Sequence, residues 1–345
     1  MHPFLAAWRS GETKFTLHTS GSTGTPKPID LTRAQMEASA RLTGQTFGLQ
    51  PGDKALVCLN TRYVAGVMML VRGEVLALNL TIVEPSANPL GTFNPATTRF
   101  DFAAFVPLQL QTMLVDVDQS EKPVALPILN NMKAILVGGA ATSPALEDAL
   151  QVIQAPVYST YGMTETVSHI AIRRLNGPER TDLFQVLPGV DVGTDERGCL
   201  HITAAASNFE RIQTNDVVDL ILPDSEAGQV RFRLLGRADS IINTGGVKVQ
   251  PEAVERVIEN TLVRFGLTPR LFIAGLPDER LGQRIALFLE NTALTSGQWE
   301  AIQQAVRTGS GMYAVPKVWY NVPAFPETAT GKIDRKGLLE EWVNR

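Results

Sequence analysis

Phe15-Thr-Leu-His-Thr-Ser-Gly-Ser-Thr-Gly-Thr-Pro-Lys27 opens as a short strand, Phe15 to Thr19, and runs straight into a Gly/Ser/Thr loop. Glycines without Cβ let backbone N–H groups come close to an anion. The hydroxyls of Ser20, Ser22 and Thr23 add donors and Lys27 adds charge. A Ser/Gly stretch alone is more often a flexible surface loop. The Pro-Lys ending after a strand favours a phosphate cradle. The Walker pattern GxxxxGK[ST] does not match, because no Ser or Thr follows the lysine.

Downstream, strands and helices alternate. Thr32 followed by Gln35 fits a capping box for a helix to about Phe47. Ala55 to Leu59 reads as a buried strand that includes Cys58. Val64 to Val75 reads as a helix, and Ala77 to Val83 as a strand. Lys133 to Val137 is a buried strand ending at Gly138-Gly139. Pro144 to Ile153 has helical spacing, with Leu146, Ala149, Leu150 and Ile153 on one face. Val157 to Thr160 is again a strand. This order predicts an α/β fold with a doubly wound, mostly parallel sheet. From about Val186 to Leu235 the segments turn short and turn-rich, which suggests a small β subdomain. Gly236-Arg-Ala-Asp239 then marks a boundary to an α+β domain. Its clear helix starts at Pro251, carries Val254, Val257, Ile258 and Leu262 on one face, and ends at Gly266. The expected domains are 1–236, with the β subdomain over about 186–236, and 237–345.

The composition suits such a globular chain of 345 residues. It is 44% hydrophobic and 19% charged, which excludes a disordered or collagen-like protein. Lys+Arg (31) and Asp+Glu (35) are interleaved and give a net charge of −4, so bulk charge does not recruit nucleic acid. The longest apolar stretch, Gly66 to Val83, is interrupted by Arg72, Glu74 and Asn79, so no membrane span is expected. Cys58 and Cys199 lie far apart with no zinc-ligand spacing. A reducing, cytoplasmic compartment and no signal peptide are the expectations.

Three further segments carry chemistry. In Tyr161-Gly-Met-Thr-Glu165, just after a strand, an aromatic face suits a purine, and Glu165 with the Thr164 hydroxyl suits Mg²⁺. A core tyrosine beside a solvated glutamate is the alternative. Gly236 to Lys248, with Pro251-Glu252 beyond, reads as an interdomain hinge with a Gly-rich hairpin, or as a plain turn. Thr330-Gly-Lys332 places a lysine on a loop tip near the C-terminus, where a lone lysine is usually only a solvated charge.

These four segments, in this order and spacing from Leu17 to Arg335, resemble the adenylate-forming superfamily of acyl- and aryl-CoA synthetases. The resemblance implies that Thr19, Ser20, Gly21, Ser22, Thr23, Gly24 and Lys27 hold the ATP triphosphate. It implies that Gly138, Gly139, Ala140, Tyr161, Gly162, Met163 and Thr164 surround the nucleotide, and that Glu165 and Thr164 bind Mg²⁺. Asp216 matches a ribose ligand with Arg237 beside it, Asp239 matches the hinge, and Lys332 matches the adenylating lysine. CoA is the implied co-substrate, with Gly245, Gly246 and Lys248 on its side. A swing of a mobile C-terminal domain about Asp239 would remove Lys332 before the thiol attacks. Pro28 stands where the family usually has Gly after the loop lysine, and Asn215 replaces a common Gly.

Only eighteen residues precede Thr19, fewer than the family usually has, which implies a large domain trimmed at its N-terminus. Such short forms are similar to bacterial o-succinylbenzoate–CoA ligases of menaquinone biosynthesis. Ser168-His169 after the Thr-Glu pair, and Arg72 in Met68-Met-Leu-Val-Arg72, carry that likeness. Arg62, Arg72, Ser168 and His169 are candidates for reading a substrate carboxylate, since cationic hydrogen bonds to carboxylate are strong. A structural ion pair is the alternative for both arginines, and a core histidine for His169. A homodimer would cover the trimmed flank. Other acids, a carrier-loading enzyme, and an inactive nucleotide-binding or scaffold homologue remain as alternatives. Turnover with other acids, or ATP binding without pyrophosphate release, separates them.

Overall fold

A hairpin and a capped helix begin the chain. The computed structural model describes residues 2–18, 28–115, 124–223, 228–327 and 333–343. The expected phosphate loop (Thr19, Ser20, Gly21, Ser22, Thr23, Gly24, Lys27) and Lys332 lie outside the described residues. Helix α1 (Pro3–Arg9) leads to β1 (Lys14–His18), which pairs antiparallel with β2 (Pro28–Thr32). Helix α2 (Arg33–Phe47) then starts on the expected capping box: Thr32 Oγ1 accepts the Gln35 N–H, and Gln35 Oε1 accepts the Thr32 N–H at 2.8 Å.

Five strands form the parallel part of the main sheet. These are β3 (Lys54–Val57), β4 (Asn79–Ile82), β5 (Phe102–Phe105), β6 (Ala134–Val137) and β7 (Val157–Gly162), in spatial order β4-β3-β5-β6-β7. Strand periodicity sends alternate side chains to opposite faces. Leu56, Ala103, Phe105, Ile135 and Val137 point to one face, under α4 (Pro107–Val115), α5 (Leu126–Leu129) and α6 (Pro144–Ala149). Ala55, Val57, Phe102, Ala134 and Leu136 point to the other, where Met69 and Leu70 of α3 (Val64–Leu76) cover them. Helices on both faces make the α/β sheet doubly wound, as expected. Helix α3 is buried from Gly66 to Gly73 because the sheet lies beneath it and α2 packs against it.

Three local expectations shift. Cys58 is buried but follows the last residue of β3. Ala149 is exposed, because the α-helix ends there and a 3₁₀ turn, Leu150–Val152, swings Leu150 back into the core. Strand β7 continues through Tyr161 and Gly162 rather than stopping at Thr160.

Beyond β7 the sheet turns antiparallel through β8 (His169–Arg174), β9 (Phe184–Val186), β10 (Asp191–Thr194), β11 (Cys199–Thr203), β12 (Ile212–Ile221) and β13 (Arg231–Arg237). The turn-rich segment after Val186 thus extends the same sheet, to eleven strands among the described residues.

A second sheet follows: β14 (Ile242–Thr244), β15 (Val247–Val249), β16 (Leu271–Asp278), β17 (Gly282–Glu290) and β18 (Val318–Val322). Helices α7 (Pro251–Val263) and α8 (Ser296–Ser310) cover one face through Val254, Ile258, Leu262, Ile302 and Val306. Leu338 of α9 (Arg335–Val343) packs with Phe272 and Phe288 on the other.

No large hydrophobic side chain of α1, α2 or α3 is exposed among the described residues, while Ile82 on the edge strand β4 is exposed. No helix among them is long and apolar enough to cross a membrane. The capping box starts the helix that packs on α3, so Thr32→Ala should lower stability by about 1 kcal/mol, read as a lower urea midpoint at unchanged slope. An unchanged midpoint would contradict that role.

Candidate active site

The site is built at the carboxyl ends of the parallel strands, where open α/β sheets hold ligands. Gly138 follows β6, and its missing side chain admits Thr160 Oγ1 of β7 at 2.6 Å from the place a Cβ would take. Gly139 sits at φ +85° and is exposed with Ala140. The register shifts between Tyr161 and Gly162. A Cβ at Gly162 would collide with the Ser168 carbonyl and the His169 backbone, so glycine is what lets the next turn fold back this closely.

Tyr161, Asp216, Arg237 and Asp239 form one hydrogen-bonded chain. Tyr161 is 8% exposed, with its ring edge-on to Phe184 and Phe232. Its hydroxyl donates to Asp216 Oδ2 at 2.6 Å. Burial and the Asp216 charge push the phenol above its usual range. Asp216 Oδ1 accepts from Arg237 Nη1 at 3.3 Å. Arg237 grips Asp239 through Nε at 2.9 Å and Nη2 at 2.7 Å. That pairing holds the Asp239 carboxyl below its usual range. The strand pairing of β12 with β13 sets this up, because Asp216 stands opposite Arg237. Four residues singled out in the sequence, from segments up to 78 positions apart (161 to 239), therefore meet.

The turn between β7 and β8 carries the second half. Thr164–Thr166 is a 3₁₀ turn, and the buried Thr166 hydroxyl accepts the Met163 N–H at 3.1 Å. Val167 follows at φ +64° and is fully buried. A β-branched residue there costs roughly 1–3 kcal/mol. Its packing with Met36, Ala40, Met68 and Val71 of α2 and α3 offsets the strain. The result turns Ser168 and His169 toward Arg72.

Arg72 is 2% exposed on α3. Its Nε donates to Thr43 Oγ1 at 3.2 Å, its Nη1 to Met69 Sδ at 3.6 Å and its Nη2 to Ser168 Oγ at 2.6 Å. No carboxylate pairs with it among the described residues. Burial lowers its guanidinium to about 10, still a cation at neutral pH. Ser168 Oγ also lies 3.2 Å from His169 Nδ1, and His169 Nε2 is buried without a partner. Burial, then the Arg72 charge, hold the imidazole down to about 3. Arg62 is exposed ahead of α3 and bonds to none of these three.

Glu165 lines a cavity of about 330 Å³ with Lys14, Asp30, Thr32, Gln35, Asn208 and Glu210 among others. Thr164 is buried beside it. Among the described residues no group of three or more His, Cys, Asp or Glu is placed to hold a metal alone. The hard oxygens of Glu165 and Thr164 nevertheless suit Mg²⁺ that takes further ligands from phosphates. Gly245 and Gly246 form the β14–β15 turn at φ +58° and +81°, with Lys248 exposed. Sequence reading missed Thr43 and Thr214, which donates to the Leu200 carbonyl and accepts the Asp216 N–H; Glu252, named with the expected hinge segment, accepts from Ser240. Isolated polar residues carry no spacing signal; the packing of α2 on α3 brings in Thr43, and the pairing of β11 with β12 brings in Thr214.

Known proteins share this architecture. The family described as AMP-binding enzyme matches residues 6–192. A probable 2-succinylbenzoate–CoA ligase of Mycobacterium tuberculosis (strain ATCC 25618 / H37Rv) is 29% identical over 359 residues, covering 98% of this chain and 88% of that protein. The 2-succinylbenzoate–CoA ligase of Escherichia coli (strain K12) is 26% identical over 353 residues, covering 99% and 71%. The crystal structure of an acyl-CoA synthetase (AMP-forming)/AMP-acid ligase II-like protein from Dyadobacter fermentans DSM 18053 is 42% identical, with 98% and 92% covered and a TM-score of 0.62.

The buried imidazole makes stability depend on pH. An unfolded histidine titrates near 6.5, whereas His169 in the fold is held near 3. Between those values the unfolded chain binds the extra proton, so stability falls as pH drops from about 6.5 toward 3 and is unaffected above. Denaturation midpoints between about pH 7 and pH 5 should fall more steeply for wild type than for His169→Gln, by up to about 1.4 kcal/mol per pH unit. Parallel slopes would contradict this.

Proposed function

The chain belongs to the AMP-binding enzyme family, the adenylate-forming acid–CoA ligases that its sequence resembles, and we propose that its acid is 2-succinylbenzoate. The proposed reaction converts 2-succinylbenzoate, ATP and CoA to the acyl-CoA thioester, AMP and diphosphate. The observation that carries the choice of acid is Arg72, a buried cation with hydroxyl and thioether partners but no carboxylate. A buried charge without a counter-ion is costly, and a substrate carboxylate supplies one. 2-Succinylbenzoate has two carboxylates, so one can meet Arg72 while the other reacts. Two curated relatives that align over nearly the whole chain bear this activity in their names, which supports the same acid.

In the first half-reaction an oxygen of the reacting carboxylate forms a bond to the α-phosphorus of ATP, and the bond to diphosphate breaks. We assign Thr19, Ser20, Gly21, Ser22, Thr23, Gly24 and Lys27 to the triphosphate. Gly138, Gly139, Ala140 and Tyr161 through Thr164 lie along the base, and Asp216 with Arg237 takes the ribose. Charge builds between the carboxylate and the α-phosphate, and Lys332 is assigned to stabilise it. Mg²⁺, held by Glu165 with Thr164, would neutralise phosphate charge when bound. Ser168 and His169 flank the acid with Arg72; Arg62, also a candidate in the sequence, is exposed outside the cluster and is given no role. In the second half-reaction the CoA thiolate attacks the acyl carbon and AMP leaves. Residues 1–236 are proposed as the adenylating core. Residues 237–345 are proposed to rotate about Asp239 between the two steps, bringing Gly245, Gly246 and Lys248 to the thiol. The Arg237–Asp239 pair stands at that pivot.

Mass spectrometry of enzyme, ATP, Mg²⁺, CoA and 2-succinylbenzoate should detect the thioester. Lys332→Ala should make it only from supplied acyl-adenylate and CoA. An absent product with wild type would reject the assigned acid. An equal loss of both half-reactions in Lys332→Ala would reject the rotation.

A further inference from the structure

We propose that His169 is a specificity-determining residue that donates Nε2–H to an uncharged carbonyl oxygen of the acid, beside the anionic oxygen held by Arg72; this rests on the acid–CoA ligase reading. The direction of each hydrogen bond leads there. A guanidinium only donates, so at 2.6 Å Ser168 Oγ accepts from Arg72 Nη2. The serine proton is then free to go elsewhere, and His169 Nδ1 lies 3.2 Å away. A hydroxyl that donates to Nδ1 makes that nitrogen an acceptor and leaves the ring proton on Nε2. Nε2 is a buried polar atom without a partner among the described residues, on a residue only 7% exposed. A cationic imidazole is disfavoured beside Arg72, so the ring is neutral.

The rest of the cluster offers it no acceptor. Thr43 Oγ1 takes Arg72 Nε–H and gives its own proton to the Ser39 carbonyl at 3.0 Å, so the threonine is satisfied. Met69 contributes sulfur, and Phe47 contributes a ring centroid 6.0 Å from that of His169. The cluster therefore presents unpaired donors: the remaining guanidinium N–H groups and one imidazole N–H. An unmet buried donor is expensive, and a ligand that meets all of them needs a carboxylate and a second, neutral acceptor close by. An acid whose carboxylate and ketone sit on adjacent ring carbons, as in 2-succinylbenzoate, has this pattern. A plain aryl or fatty acid lacks it.

The test compares 2-succinylbenzoate with 4-(2-carboxyphenyl)butanoate, in which CH₂ replaces the ketone, by pyrophosphate release. Wild type should favour the ketone by about tenfold or more in kcat/KM. His169→Gln should keep the preference, because an amide also accepts from Ser168 and donates through N–H. His169→Leu should treat the two acids alike, with KM for ATP unchanged. Retention of the preference in His169→Leu, or its equal loss in both variants, would overturn the proposal. Nitrogen-15 NMR of histidine-labelled wild type gives a second measurement independent of variant folding. It should show the His169 proton on Nε2, and a proton on Nδ1 would overturn the proposal. Absence of pyrophosphate release from wild type with either acid would overturn the ligase reading and the proposal together. Turnover of both acids without preference in wild type would overturn the proposal alone.

Discussion

Arg72 is held out of water by α2, α3 and the turn after β7, and each of its described partners is a hydroxyl or a thioether. Moving a guanidinium into such surroundings carries a penalty of several kcal/mol, which a hydroxyl only partly offsets. Proteins keep a cost of this kind at sites where a ligand completes the arrangement. The local backbone is built around it. Gly162 clears the way for the Ser168 carbonyl, Val167 takes a left-handed conformation, and Thr43 closes the arginine from the side of α2. None of these choices favours stability by itself. Together they deliver Ser168 to a cation that lacks a counter-ion.

Strand β7 couples this cluster to the proposed nucleotide site. Its terminal tyrosine leads through Asp216 and Arg237 to Asp239, and the turn that follows leads to Ser168, His169 and Arg72. One strand end thus fixes the relative position of the two proposed substrates. Positioning of that kind lowers a barrier without any contribution from the reacting groups. The antiparallel extension of the sheet has a defined role here, since the β12–β13 register sets Asp216 opposite Arg237. Asp239, two residues further along the chain, pairs with the same arginine.

Much of this was legible in the sequence, for identifiable reasons. The capping box at Thr32, the helix α3 and the apolar face of α7 follow from local pattern, and the structure has them. Tyr161, Asp216, Arg237 and Asp239 were found because motifs name them individually; their hydrogen-bonded chain depends on strand pairing that no local pattern encodes. Arg72 carries the family likeness, but as candidates for a substrate carboxylate Arg72 and Arg62 stand together in the sequence, each with a structural ion pair as its alternative. Burial separates them, and burial is a property of how α2 covers α3. Ala149 was misplaced because a 3₁₀ turn changes the residue period at the end of a short helix. The strained turn at Val167 left no trace, since valine is a residue that sequence rules would exclude from positive φ.

The claim on which the account turns is that a substrate carboxylate neutralises Arg72. ATP–pyrophosphate exchange with 2-succinylbenzoate and with 4-oxo-4-phenylbutanoate, which lacks only the ring carboxylate, addresses it in wild type and in Arg72→Gln. Removing the ring carboxylate should lower kcat/KM about a hundredfold in wild type and much less in Arg72→Gln, because truncating one side of a buried charge pair costs several kcal/mol. Equal exchange by the two acids in wild type would contradict it.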